Sequence, residues 1–202
     1  MTAEKCKIVA IEHLTLDSVY EAPAFPDGDS QDGFKHKGWA MPRSNLKMQE
    51  IMGKYMASGW SLLLGMTTYE GLYESWAIKQ PSSPMTHALT GVQKFVTSHR
   101  ADYKLPWDNS TLLAGEATKT VAQLKKEHDK TLIIFGSGIL IHSLMQRELV
   151  DEFLLMIHPI VLGSGLRLFD NKSPFTQFKL DNTITTDTGV IVAAYQRDEV
   201  EH

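Results

Sequence analysis

Four apolar residues, Leu132 to Phe135, are followed at once by Gly136-Ser137-Gly138, and then Ile139, Leu140, Leu144 and Met145 recur at helical spacing. This stretch, Thr131 to Leu149, restricts the architecture more than any other. The apolar run is too short for a helix and fits a strand buried on both faces. The two glycines allow a sharp turn and let another molecule approach the backbone without meeting a Cβ atom. A strand, a glycine turn and a helix start together aim free backbone N–H groups at one point, which suits a phosphate. The same arrangement also serves as a plain connection. It is neither G-x-G-x-x-G nor a Walker loop, because no Gly-Lys-Ser/Thr follows.

A chain of 202 residues is expected to form a single domain spanning 1–202 and has ample length for a full core. Its 20 basic and 24 acidic residues give a net charge of −4, and no basic run or aromatic-basic interleaving appears, which argues against a nucleic-acid partner. Cys6 is the single cysteine, so an internal disulfide is excluded and a reducing compartment fits. Its place in the first strand reads as an inert buried thiol. Met1 to Lys5 carry no apolar segment, and no apolar run reaches membrane-spanning length, so a soluble cytoplasmic protein is expected, with no membrane partner.

Lys7 to Leu16 reads as the first strand. Asp17 to Gly38 is long for a structureless connection, a kind of loop often given to function. It contains Tyr20 and Phe25 and leads to Trp39, aromatic groups that need burial in the core or over a ligand. Pro42 to Ser58 reads as a helix stopped by Gly59, and Trp60 to Leu64 as a buried strand. Gly65-Met66-Thr67-Thr68-Tyr69-Glu70 then repeats the strand, glycine and helix pattern, with Thr67 or Thr68 able to cap a helix to about Tyr73. Lys79 to Pro84 reads as a connection. Phe95 to Ser98 and Thr111 to Ala114 read as short strands, and Gly115-Glu116 opens a helix through Val121, Leu124 and Lys125. After Val150 only strands follow: Phe153 to Val161, Gln177 to Thr185 and Val190 to Gln196, with a hairpin turn at Asp187-Thr188-Gly189. This order predicts an α/β sheet, mostly parallel at its centre, with an antiparallel C-terminal edge.

Hydrolytic and metal chemistry find little support. Ser137 and Ser164 lie outside any G-x-S-x-G elbow, and none of the eight histidines is paired at i, i+3 or i, i+4, so no metal ligand is assigned. His158, before Pro159 on an apolar strand, reads as a satisfied core histidine, and Gly163-Ser164-Gly165 as a bend. Ligand binding at the carboxyl ends of the central strands remains. Gly65 to Thr68 and Gly136 to Gly138 each bring a helix start there. Thr97-Ser98-His99-Arg100 offers hydroxyls and a fixed positive charge, and Asp17 a carboxylate. A pyrophosphate-linked dinucleotide accounts for all of these together.

Several segments taken in order resemble the dihydrofolate-reductase-like superfamily, and within it stand-alone domains similar to the C-terminal reductase of bifunctional riboflavin-biosynthesis enzymes. They are Leu16 to Glu21, Gly38-Trp39, Leu62 to Glu70, Asn109 to Leu113, Phe135 to Gly138 and His158 to Phe169. The resemblance implies a three-layer α/β fold, an NADPH/NADP cofactor, a small-molecule substrate and a homodimer. It places Gly65, Thr67 and Thr68 at the cofactor phosphates and Ser98, His99 and Arg100 at the adenosine end. Gly136, Ser137, Gly138, Ile139 and Leu140 fall at the pyrophosphate and nicotinamide. Asp17, Tyr20 and Trp39 border the substrate, with Asp17 orienting it or relaying a proton as the catalytic residue. The wider fold often has a cis peptide at its central glycine pair, so a non-proline cis bond is expected near Gly136. Two positions depart from the pattern: Met66 stands where the family usually has arginine, and Ser18 where it usually has glycine. Glu50 reads as a solvated helix-face charge more readily than as a proton donor. The expected activity is an NADPH-dependent reductase acting on a pteridine- or pyrimidine-like molecule, with a dimeric ligand-binding module without turnover as the alternative.

Overall fold

The computed structural model describes residues 6–24, 33–57 and 59–198. Phe25 and Met1 to Lys5 lie outside them. The strands are β1 (Ile8–Thr15), β2 (Trp60–Gly65), β3 (Lys94–Ser98), β4 (Ser110–Ala114), β5 (Thr131–Phe135), β6 (Glu152–His158), β7 (Phe178–Thr185) and β8 (Ile191–Arg197). They form one sheet in the order β4-β3-β2-β5-β1-β6-β8-β7. Pairing is parallel from β4 to β6 and antiparallel where β8 joins β6 and β7. The turn between β7 and β8 closes with the Gly189 N–H donating to the Thr186 carbonyl at 3.1 Å.

Among the described residues five α-helices cover the two faces: α1 (Leu46–Tyr55), α2 (Met66–Leu72), α3 (Pro84–Gly91), α4 (Ala117–Glu127) and α5 (Gly138–Met145). Alternation along the strands decides which face each side chain meets. Ile8, Ala10, Leu14, Leu132 and Ile134 pack with Val121 of α4 and with Leu140, Ile141 and Leu144 of α5. Val9, Ile11, Ile133, Leu154 and Met156 point the other way, against Met48 of α1. Leu62, Leu64 and Val96 meet Tyr69 of α2 and Leu89 of α3. Helices, sheet and helices give three layers, the α/β architecture expected.

Local chemistry moved some boundaries. The helix expected from Pro42 starts at Leu46, because Pro42 lies in a separate 3-10 turn, Met41–Arg43. Asn45 then caps α1, its side chain accepting from the Met48 N–H at 3.1 Å. Helix α3 was unforeseen, although its start carries the usual signals: Ser83 accepts from the Thr86 N–H at 3.1 Å and Pro84 occupies the first turn. Its far end is held by the buried Lys94, whose Nζ donates to the carbonyls of Leu89, Thr90 and Val92 at 2.7, 3.3 and 2.8 Å. Burial lowers the Lys94 pKa to about 8.

The strand ends define the rim that matters. β1 pairs with β5 only as far as Ile11↔Phe135, yet with β6 as far as Thr15↔His158. Residues 12–15 of β1 therefore overhang the turn that follows β5. α1 carries the chain from β1 across to β2 on one face, and α5 carries it from β5 to β6 on the other. The two crossovers part beside β5, the kind of switch point where open α/β sheets bind ligands.

Candidate functional site

The two glycine turns lie on the same rim and are laced directly to each other. The Gly65 N–H donates to Ser137 Oγ at 3.0 Å, and the Ser137 N–H donates to Thr68 Oγ1 at 3.1 Å. Thr68 thus caps the neighbouring turn and not its own helix; Gly65 is the residue before α2, which has no side-chain cap. Thr67 is exposed. The chain bends through two successive left-handed residues, Gly136 at φ +61° and Ser137 at φ +59°. No cis peptide occurs among the described residues, so the cis bond expected near Gly136 is absent. The left-handed pair makes the bend without it.

Helix α5 makes its first intrahelical bond from the Ile141 N–H to the Ser137 carbonyl at 3.0 Å. The N–H groups of Gly138, Ile139 and Leu140 precede that bond and have no partner within the helix, as at any helix start. The Leu140 side chain is buried in the core and only its backbone belongs to the turn, whereas the Ile139 side chain is 74% exposed. Gly138 is needed where it stands: a Cβ there would lie 2.2 Å from Cζ of Tyr20.

Ser98, His99 and Arg100 follow β3, one strand beyond β2. Ser98 Oγ accepts from the Arg100 N–H at 3.0 Å. The Arg100 guanidinium lies 3.4 Å from Glu70 Oε1 of α2 and over the Tyr103 ring at 4.4 Å, so its charge already has a carboxylate partner. His99 is exposed.

Asp17 is bound to the chain's own groups. Its carboxylate accepts from Thr15 Oγ1 at 2.6 Å and from the N–H groups of Leu162 and Gly163 at 3.2 and 2.9 Å, and it lies 3.3 Å from Arg167 Nη2. Desolvation pushes its pKa up, but these hydrogen bonds outweigh it and hold the pKa at about 2. A carboxylate so committed has no proton to donate near neutral pH. It clamps the bend at Gly163 to Arg167, which Glu21 secures further by accepting from the Leu166 N–H at 2.9 Å. Trp39 is buried, donating from Nε1 to the Glu21 carbonyl at 2.8 Å, with its ring edge-on to His158 at 5.2 Å. Tyr20 is half-buried against α5, and burial, with the Glu12 and Glu21 charges adding, raises its phenol to about 12. A cavity of about 350 Å³ lies between Tyr20, Ile139 and His142 on one side and Gly165 to Arg167 on the other. Glu50 is exposed on α1, as a solvated charge would be.

Glu12 and His13, on the β1 overhang, carry no reading in the sequence, and His158 beside them differs from the one it has. Glu12 is 2% exposed, its Oε1 has no hydrogen-bond partner, and burial raises its pKa well above the usual carboxylate range. His13, on the opposite face, shares a 2.9 Å hydrogen bond between its Nδ1 and Nε2 of the fully buried His158. His158 is not the satisfied core histidine expected, because its Nδ1 has no partner. Burial lowers both, to about 3 for His13 with His158 adding, and to about 4 for His158 with Arg43 adding. The sequence signal was present: a glutamate and a histidine interrupt an otherwise apolar strand, at positions a buried strand seldom gives to polar residues. Cys6, by contrast, is the inert thiol expected, buried with its pKa raised by that burial to about 11.

Solved structures place this architecture among dihydrofolate-reductase-like folds. A putative riboflavin biosynthesis protein from Shewanella sp. PV-4 superposes with a TM-score of 0.67 at 18% identity, over 96% of this chain and 99% of its own. A pyrimidine reductase-like protein from Corynebacterium diphtheriae gives 0.64 at 11% identity, over 96% and 92%. Dihydrofolate reductase from Enterococcus faecalis, complexed with NADP(H) and RAB-propyl, gives 0.59 at 12% identity, over 96% and 97%. Residues 24–192 match the RibD C-terminal domain, and the chain belongs to that family. The uncharacterized protein YyaP of Bacillus subtilis (strain 168) is 36% identical over 89 residues, 44% of this chain and 47% of that protein. YwjB of the same organism is 32% identical over 76 residues, 38% of this chain and 44% of that protein. The matched stretches thus span about half the length of either relative. Among the described residues no helix is long and apolar enough to cross a membrane.

Proposed function

We propose that the protein is an NADPH-dependent reductase of a pteridine- or pyrimidine-like small molecule, acting at a C=N or C=O bond. The observation that carries this reading is the seam joining the Gly65 and Gly136 turns, where α5 opens its unbonded N–H groups beside Thr67, Thr68 and Ser137. That donor set, uncharged and rich in backbone N–H, fits a pyrophosphate. Gly138, Ile139 and Leu140 would hold it through their N–H groups, and Thr67 through its exposed hydroxyl. Ser98, His99 and Arg100 would border the adenosine end, with Arg100 sharing its charge with Glu70. When bound, NADPH supplies the hydride, and the chain's own contribution is alignment and exclusion of water. Tyr20 and Trp39 would wall the substrate, and Asp17 would keep the bend at Gly163 to Arg167 in place. We propose further that it works in the cytoplasm as a homodimer, which sedimentation at micromolar concentration would read as twice the chain mass.

Titration with NADPH and NADP, followed by tryptophan fluorescence and thermal denaturation, tests the reading. Quenching and a raised Tm are expected, and no response at millimolar cofactor would overturn it. Met66 and the committed state of Asp17 favour a second reading, a ligand-binding module without turnover. Cofactor binding without oxidation in the presence of pteridines, pyrimidinones or folates would select that one.

A further inference from the structure

The sequence places a histidine at the third residue from the end of β1's overhang and another at the last residue of β6, and the register carries both side chains to the α1 face. There His13 Nδ1 and His158 Nε2 are 2.9 Å apart, with Trp39 edge-on to His158. One hydrogen lies between these two nitrogens. If it belonged to His13, the single ring hydrogen of His158 would sit on Nδ1, a fully enclosed N–H with no acceptor. If it belongs to His158, Nδ1 is left as a bare lone pair. Orphaned buried N–H groups are rarer than under-used acceptors. His158 is therefore the donor within the pair, and His13 must carry its own hydrogen on Nε2. His13 is only half-buried and stands just past Ile11, where β1 loses its β5 neighbour.

We propose that His13 Nε2–H reads a hydrogen-bond acceptor on the substrate, an exocyclic carbonyl oxygen of a flat heterocycle, with His158 as the positioning residue that fixes the tautomer. This rests on the reductase reading and adds to it what the site selects. A neutral imidazole donor discriminates by the acceptor it demands. An analogue lacking the oxygen leaves the donor unpaired in a closed site, and sites built to bond a polar group reject analogues without it far more strongly than apolar pockets reject a missing methylene. Arg43, whose charge adds to the lowering of the His158 pKa, lies on the 3-10 turn before α1. Burial keeps the rings uncharged, so the reading does not depend on pH near neutrality.

The test compares pterin, which has the 4-oxo group, with 2-aminopteridine, which lacks it. Binding is measured by tryptophan fluorescence with and without added NADP. The wild-type chain is expected to favour pterin by about tenfold or more, the size of one net hydrogen bond. His13→Phe should bind both alike, and His13→Gln, which keeps an amide N–H, should restore the preference. His158→Phe should weaken the preference while His158→Gln, able to donate to His13 Nδ1, retains it. In the free protein, ¹⁵N imidazole spectra should show His13 and His158 protonated on Nε2 and bare on Nδ1. Protonation of His158 at Nδ1, equal binding of the two compounds by the wild-type chain, or failure to bind pterin would overturn the proposal. A preference for pterin that His13→Phe abolishes, with no response to NADP or NADPH, would leave the His13 assignment standing and remove the reductase reading.

Discussion

Three titratable groups beside the rim, Glu12 and His158 buried and His13 half-buried, set opposing pH dependences of stability, and their balance is measurable. His13 and His158 are held near 3 and 4, against 6.5 for a free imidazole, chiefly by burial. Below pH 6.5 the unfolded chain takes up two protons that the folded chain refuses until about pH 4, so stability is lost as pH falls. The rate is about 1.4 kcal/mol per pH unit for each group, or about 2.7 for the pair. Glu12 acts the other way. Its folded pKa is raised by burial above the usual 4.5, so its contribution is full below pH 4.5 and lost, at about 1.4 kcal/mol per unit, as pH rises. Between pH 5 and 6 the two histidines outweigh the single opposing carboxyl, and the three together make the wild-type chain gain stability as pH rises. Glu12→Gln removes the opposing group and should steepen that slope, with about 1.4 kcal/mol per unit as the one-proton ceiling; replacing both histidines by glutamine should lower it by about 2.7. His128, also lowered by burial, is common to all the variants and cancels in the differences. Urea denaturation at half-unit pH steps reads the slopes. A Glu12→Gln chain with the wild-type slope, or a double-histidine variant with no change, would refute the reasoning.

Other substitutions separate structural from chemical roles. Asp17→Asn should cost about 2 kcal/mol, because charge-assisted bonds to Leu162, Gly163 and Arg167 weaken together, while leaving the pH profile of any turnover unmoved; a shifted profile would restore Asp17 as a proton carrier. Ser18 sits at φ +63°, so the glycine usual in the family should suit the backbone, and Ser18→Gly is expected to raise stability by about 0.5–1 kcal/mol in denaturant titrations. Gly138→Ala should destabilise by about 1–3 kcal/mol through its clash with Tyr20, and Tyr20→Ala should recover most of that loss in the double variant. Cys6 should resist thiol reagents until the chain unfolds, since its Sγ is enclosed and bonded to the Lys130 carbonyl at 3.1 Å.

What the sequence alone determined is the periodic part. The apolar runs at 62–64 and 132–135, with their glycine stops, specified buried parallel strands ending in turns, because a strand covered on both faces has little choice but continuous apolar composition. The late switch to strands without helices specified the antiparallel edge, and the loss of helix–strand alternation carries that information locally. Tertiary structure decided the rest. Nothing local says that Thr68 would serve the turn after β5 and not its own helix, since a hydroxyl bonds whichever N–H the fold brings near it. Asp17 looked like a free carboxylate because its three partners at 162–167 are about 145 residues away along the chain. The His13–His158 bond spans the same separation. A strand register, with its period of two, is what brings such distant groups to one face, and it exists only once β1 and β6 have paired.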